Sequence, residues 1–166
     1  MPLAEYEASP QEVRRFALLQ IGLTAGFMTL IFLALGGTDA DLPPWWLLAA
    51  LLLVVVVAAV LSERVWLQAS PLDPDDDPDD LERRAIGIYA AQTVRKLMFC
   101  EASVLLAILV SFVGTWGGWP TLLAGVPGLF LLGFETWPGL RNLTMTAAML
   151  EADGAETRLV ESFRNW

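Results

Sequence analysis

Four long apolar blocks, separated by short polar segments, organise the chain. They occupy residues 16–35, 45–66, 97–116 and 121–140. A helix needs about 20 mostly apolar residues to cross the hydrocarbon core of a bilayer, and each block is close to that length. The pattern therefore predicts an all-α membrane protein with four transmembrane helices. Pro127, inside the fourth block, is expected to kink its helix, as prolines in membrane helices often do.

The polar segments differ sharply in charge. All ten Lys and Arg residues lie at one end of the predicted helices. Arg14 and Arg15 precede the first block. Arg64, Arg83, Arg84, Arg95 and Lys96 lie between the second and third, and Arg141, Arg158 and Arg164 follow the fourth. The two remaining loops, "GGTDADLPP" and "GTWGGWP", contain none. Cationic loops stay in the cytoplasm, so both termini are expected there, in a multi-pass protein of the inner (plasma) membrane. Tryptophans sit where interfacial anchors are expected: Trp45, Trp46, Trp116 and Trp119 outside, Trp66 and Trp137 inside. The first block is too long for the apolar region of a signal peptide and follows a mostly acidic lead.

Two stretches that lead from the cytoplasm into the membrane resemble each other: "QEVRRFALLQ" (11–20) and "QTVRKLMFCE" (92–101). Each follows a helix-start signal, Ser9-Pro10 with Glu12 and Asp77-Pro78 with Asp79 and Asp80. One reading is two tandem hairpins of the same orientation, which would make Gln20 and Glu101 equivalent. The other is chance similarity between basic segments that approach a membrane.

Polar residues inside the blocks are few, and each is costly at depth. Glu101 is five residues past Lys96, ~7–8 Å deeper at the helical rise. Glu135, six residues before Arg141 on a returning helix, comes out at ~9 Å. Gln20 lies five residues past Arg15. These three form a candidate polar layer in the inner leaflet, with Arg15, Arg64 and Arg141 as candidate ion-pair partners. If the two carboxylates face each other, one would hold a proton near neutral pH. Otherwise they pair with an arginine or accept hydrogen bonds from Gln20 or Thr24, and so fix which helix faces which. Gly22 with Gly26, and Ala124 with Gly128, have the small-residue spacing that permits close helix contact.

Composition narrows the function classes. The chain has 166 residues, a 55% apolar fraction and a net charge of −9. That balance argues against nucleic acid as a partner, since phosphates need clustered Lys and Arg. No histidine is present, and the single Cys100 sits among apolar residues, so the commonest metal ligand and a dithiol pair are both missing. No cofactor and no catalytic motif is expected. "DPDDDPDD" (73–80) begins like a calcium loop, but Pro78 stands where such a loop needs glycine. It reads instead as part of an acidic cytoplasmic linker, 67–80, leading into a helix that continues into the third span.

After residue 138 the chain is expected to form a cytoplasmic amphipathic tail, 139–166, beyond a membrane domain of residues 1–138. Leu159, Val160, Phe163 and Trp166 fall at helical spacing. The tail would dock in a partner, lie on the membrane surface, or stay disordered.

The stretch "TVRKLMFCEASVLLAILVSFVG" (93–114) resembles the third span of uncharacterised four-span bacterial membrane proteins, some described as similar to the c subunit of ATP synthase. The shared features are basic residues, a Glu shortly after them and a long apolar run. In that family the Glu is often followed by a glycine or small residue, and here Ala102 and Ser103 follow Glu101. The c subunit is a two-span hairpin with its carboxylate near mid-bilayer, so the resemblance does not extend to rotary proton transport. Two functions follow as expectations. One is a non-catalytic accessory or assembly subunit of a larger membrane complex, with lipid, other subunits or a second copy as partners. The other is a small proton-coupled transporter or channel using Glu101 and Glu135.

Overall fold

The computed structural model describes residues 8–164, and within them the chain is helical with no strand. Helix α1 runs Pro10–Ala34, α2 Trp45–Trp66 and α3 Pro78–Val113. All three are long and apolar enough to cross a membrane. A π-helical turn, Thr121–Gly125, leads into α4, Val126–Thr136. Two shorter helices follow, α5 at Leu140–Leu150 and α6 at Leu159–Arg164.

The start signals work as the sequence predicts. Ser9 caps α1 through a capping box with Glu12, and Pro10 opens the helix. Asp77 accepts from the Asp79 backbone and Pro78 opens α3. Each arrangement satisfies otherwise orphaned first-turn N–H groups. Helix α3 is unbroken over 36 residues. At ~1.5 Å per residue it is about 54 Å long, far beyond the ~30 Å hydrocarbon core, so much of its first half projects out.

The fourth apolar helix ends earlier than its sequence predicts. Thr121–Thr136 closes at Thr136 instead of continuing to 140. Trp137 precedes Pro138, and a residue before proline is pushed out of the helical region. Its ψ is 130°. Asn142 then donates to the carbonyls of Phe134, Glu135 and Trp137 at 2.8–3.2 Å, closing the frayed end. Pro127, expected to kink the helix, is the second residue of α4, just past the π turn. The wider turn accommodates a residue without an N–H.

All four apolar helices run between the same two ends. At the uncharged end the loops meet: Gly118 N donates to Gly37 O at 2.8 Å and Trp119 Nε1 to Ala40 O at 2.9 Å. A Cβ on Gly117 would come within 3.2 Å of Leu35 O, and its φ of +55° favours glycine as well. Helix α3 is central. It packs on α2 and α4, while α1 lies against α4 and α3. Helices α1 and α2 rest on the α3–α4 pair rather than on each other. The expected first hairpin is thus not a packed unit, because its ten-residue connection, 35–44, lets its arms part around α3 and α4. Exposed leucines, valines and phenylalanines cover the outward faces of α1 and α2.

The tail is part of the fold, not an appendage. Leu143, Ala147, Leu150, Leu159 and Phe163 share one buried cluster with Leu81, Ala85, Ile86 and Tyr89 of α3 and Val13 of α1. Residues 81, 85 and 89 are i, i+4, i+8, a stripe on the projecting part of α3 that needs a cover. Neither partner docking nor a membrane-surface helix describes Leu159 and Phe163, since both are fully buried within this chain. Val160 packs partly buried against the same cluster. Trp166 lies outside the described residues.

Candidate functional site

The polar residues of the membrane blocks sort into two groups. In the one farther from the charged end, Gln20 Nε2 and Thr24 Oγ1 of α1 both donate to Oε1 of Glu101 on α3, each at 3.4 Å. Thr24 is buried, while Gln20 and Glu101 are half-buried. Both bonds are at the long limit for hydrogen bonds.

The second group is tighter and closer to the charged end. Glu135 Oε2 accepts from Lys96 Nζ at 2.9 Å, and its Oε1 lies 3.6 Å from Arg141. The Lys96 and Glu135 side chains are 3% and 1% exposed, so this is a desolvated pair. Arg141 also pairs with Glu63 of α2. Both cations lie over the Trp66 indole, Lys96 Nζ at 3.7 Å and Arg141 Cζ at 4.6 Å from the ring centroid. Arg141 Cζ is also 4.8 Å from the Phe134 ring. The cluster unites α2, α3, α4 and α5. Its net charge is zero, which suits a poorly hydrated setting.

The single polar layer expected at one depth is therefore two. Gln20 does meet Glu101. Glu135 does not join them, because the six-residue count to Arg141 is not all helix. The helix stops one residue after Glu135, and Arg141 folds back on α5. The carboxylate thus sits at the helix end, beside Lys96. No hydrogen bond joins Glu101 and Glu135, and each has its own partners.

Of the candidate ion-pair partners, Arg141 is one. Arg15 and Arg64 are exposed and form no ion pair among the described residues. Lys96 was the missed partner. Its repeat counterpart, Arg15, is solvent-facing, so the two similar segments hold their basic residues in opposite environments. Trp66, expected as an interfacial anchor, is 3% exposed and serves as the floor under two cations. Its Nε1–H is buried without an acceptor among the described residues. The ring is placed for its π face, and cation–π attraction of roughly 0.5–2 kcal/mol per cation offsets that loss.

The small-residue pairs divide as well. Ala124 and Gly128 are buried, and a Cβ on Gly128 would lie 2.9 Å from Val104 Cγ2 and 3.0 Å from Ser103 Oγ. That contact is internal, between α4 and α3. Gly22 and Gly26 face outward with nothing within 4 Å of an added Cβ. Ser111 and Thr121 hydrogen-bond each other at 2.8 Å, and Ser62 meets Cys100 Sγ at 3.4 Å. The buried hydroxyls are thus satisfied locally. Among the described residues, no three His, Cys, Asp or Glu side chains group as metal ligands would. The Asp-rich linker is ordered by its own neighbours: Arg83 pairs with Asp80 and Arg84 with Asp76. No protein-family model, curated protein or solved structure matches the chain.

Proposed function

We propose that the protein is a four-span, non-catalytic accessory or assembly subunit of a larger complex in a bacterial inner membrane, with both termini cytoplasmic. The observation that carries this reading is the neutralisation of Glu135, a shielded carboxylate, by the chain's own cations. Glu135 is neutralised by Lys96 and Arg141, and Glu101 is met by Gln20 and Thr24. A transport path needs polar groups free to exchange partners along its length, and the hydroxyls above this level are bonded within the bundle. The outward faces offer apolar surface, and Gly22 and Gly26 allow a helix of a partner subunit or a second copy to approach α1 closely. Helix Thr121–Thr136, about 24 Å long at ~1.5 Å per residue, spans the bilayer with local thinning or with Trp137 at the interface.

The test is purification of the tagged full chain in mild detergent, followed by mass spectrometry of what accompanies it. Stoichiometric membrane partners support the subunit. A chain recovered only with itself supports a small proton-coupled carrier. That second reading rests on Glu101, which is half-buried and held only by 3.4 Å bonds. It predicts that Glu101→Gln abolishes proton-dependent transport while leaving the oligomer intact.

A further inference from the structure

The end of α2, the segment 67–72 and the projecting part of α3 enclose a cleft of about 340 Å³ at the charged end of the bundle. Its apolar floor includes Val65, Leu72 and Ile88, and its rim carries Arg84, Arg95 and Gln92. Arg95 hydrogen-bonds Gln68 at 3.0 Å and makes no ion pair among the described residues. Arg84 is held by Asp76 of the acidic linker. Gln92 is only 5% exposed, and its carbonyl oxygen accepts from Thr146 at 2.9 Å. In this arrangement the amide N–H₂ has no acceptor among the described residues. The cleft thus combines one un-neutralised guanidinium, a second held by an exposed carboxylate, and an amide N–H₂ with no acceptor among the described residues.

We propose that this cleft binds a phosphate group through Arg95 and the Gln92 amide, with Arg84 adding positive charge at its other end and Asp76 offsetting that charge from within the chain. Guanidinium groups match phosphate bidentately. Arg95 adjoins Lys96, where the third span begins, so the cleft lies at the level of lipid headgroups, and basic pockets on cytoplasmic helix ends hold anionic headgroups. The headgroup source rests on the proposed inner-face placement of this end. The phosphate chemistry does not, nor does it depend on the chain serving a larger complex.

The experiment uses the full chain in non-ionic detergent micelles. Native mass spectrometry compares retention of phosphatidylglycerol with phosphatidylcholine of the same acyl chains, with and without added inorganic phosphate. Phosphatidylglycerol should be retained preferentially, and Arg95→Gln should weaken it about fivefold, the usual contribution of one cation near a headgroup. Arg84→Gln should act in the same direction, and Asp76→Asn should strengthen binding. Arg64→Gln, an exposed arginine outside the cleft, should change little. Inorganic phosphate that competes, with the same dependence on Arg95, supports a soluble phosphate as the source. Failure to compete supports the lipid headgroup. Equal retention of the two lipids, or equal effects of Arg64→Gln and Arg95→Gln, would overturn the site, because diffuse surface charge would then explain the binding.

Discussion

Lys96 Nζ lies 2.9 Å from Glu135 Oε2 with both side chains almost wholly shielded, which ties the middle of α3 to the last turn of α4. Removing one member of such a pair strands the other, at a cost of about 3–5 kcal/mol. Lys96→Met and Glu135→Gln should each lower the unfolding midpoint in micelles. The double variant should recover much of the loss, since an uncharged pair strands nothing. Arg141 moderates the Lys96→Met variant, because it remains 3.6 Å from Glu135. Two single variants as stable as the natural chain would show that the pair is not shielded in the membrane.

Glu101→Gln should be mild by comparison. Hydrogen bonds inside membranes average ~0.6 kcal/mol, and a Gln side chain still offers an oxygen to Gln20 and Thr24. The variant should assemble with its partners at nearly natural yield. Loss of a proton-dependent flux, with assembly unaffected, would sink the subunit reading and leave the carrier.

The contrast between these two carboxylates marks what the sequence could convey. Helix starts were legible because Ser9-Pro10 and Asp77-Pro78 act through local capping, and the three long apolar helices because few polar residues break their runs. The Gln20–Glu101 contact followed from counting along two helices that enter in parallel. Glu135 was grouped with Glu101 because the count to Arg141 crossed Trp137-Pro138, where the helix ends, and the structure pairs it with Lys96 instead. Lys96 was passed over because its neighbours in sequence mark a membrane boundary. Its burial comes from Trp66 and Glu135, which reach it only through packing. The tail's periodicity was plain, but periodicity names a face and not its cover, and the cover proved to be α3.

Membrane placement has a direct readout. Asp39→Cys, in the loop after α1, should react with an impermeant thiol reagent in intact cells. Asp75→Cys, in the acidic linker, should react only after the membrane is opened. Both positions are exposed, and the natural Cys100 is fully buried and should stay silent. Labelling of Asp75→Cys from outside would reverse the proposed orientation, and with it the headgroup source for the Arg95 cleft.

Gly128 and Gly22 should respond oppositely to alanine. At Gly128 the new methyl meets Val104 Cγ2 at 2.9 Å and Ser103 Oγ at 3.0 Å, and overpacking of this kind costs about 1–3 kcal/mol. At Gly22 nothing stands within 4 Å, so Gly22→Ala should leave the isolated chain's midpoint unchanged or slightly raised, by up to ~1 kcal/mol of helix propensity. Gly22→Ile separates fold from assembly. If a neighbouring helix packs on this face, recovery of partners should drop while the midpoint holds. Unchanged recovery would place the partner contact on another helix.

Phe163 tests whether the tail is held by the chain itself. Its side chain is fully buried, its ring meets Tyr89 edge-on with centroids 5.2 Å apart, and its carbonyl accepts from Arg14. Helix α6 has six residues, too few to be stable alone, so its order depends on these contacts. Phe163→Ala removes a ring from a closed cluster, a loss of about 3–5 kcal/mol. The spans draw their own stability from α2–α4 packing, so the loss should appear locally. Amides of α6, and the 151–158 connection that holds it to α5, should exchange and be cut by protease much faster, while those of α2, α3 beyond Lys96 and α4 keep their protection. Arg14→Ala should loosen the same region less, because it removes one tether and leaves the apolar cluster whole. Faster exchange spread evenly over the long helices would mean that the tail cluster and the bundle unfold as one unit. Unchanged exchange in α6 would mean that Phe163 does not hold the tail, and the apolar stripe of Leu81, Ala85 and Tyr89 would need another cover.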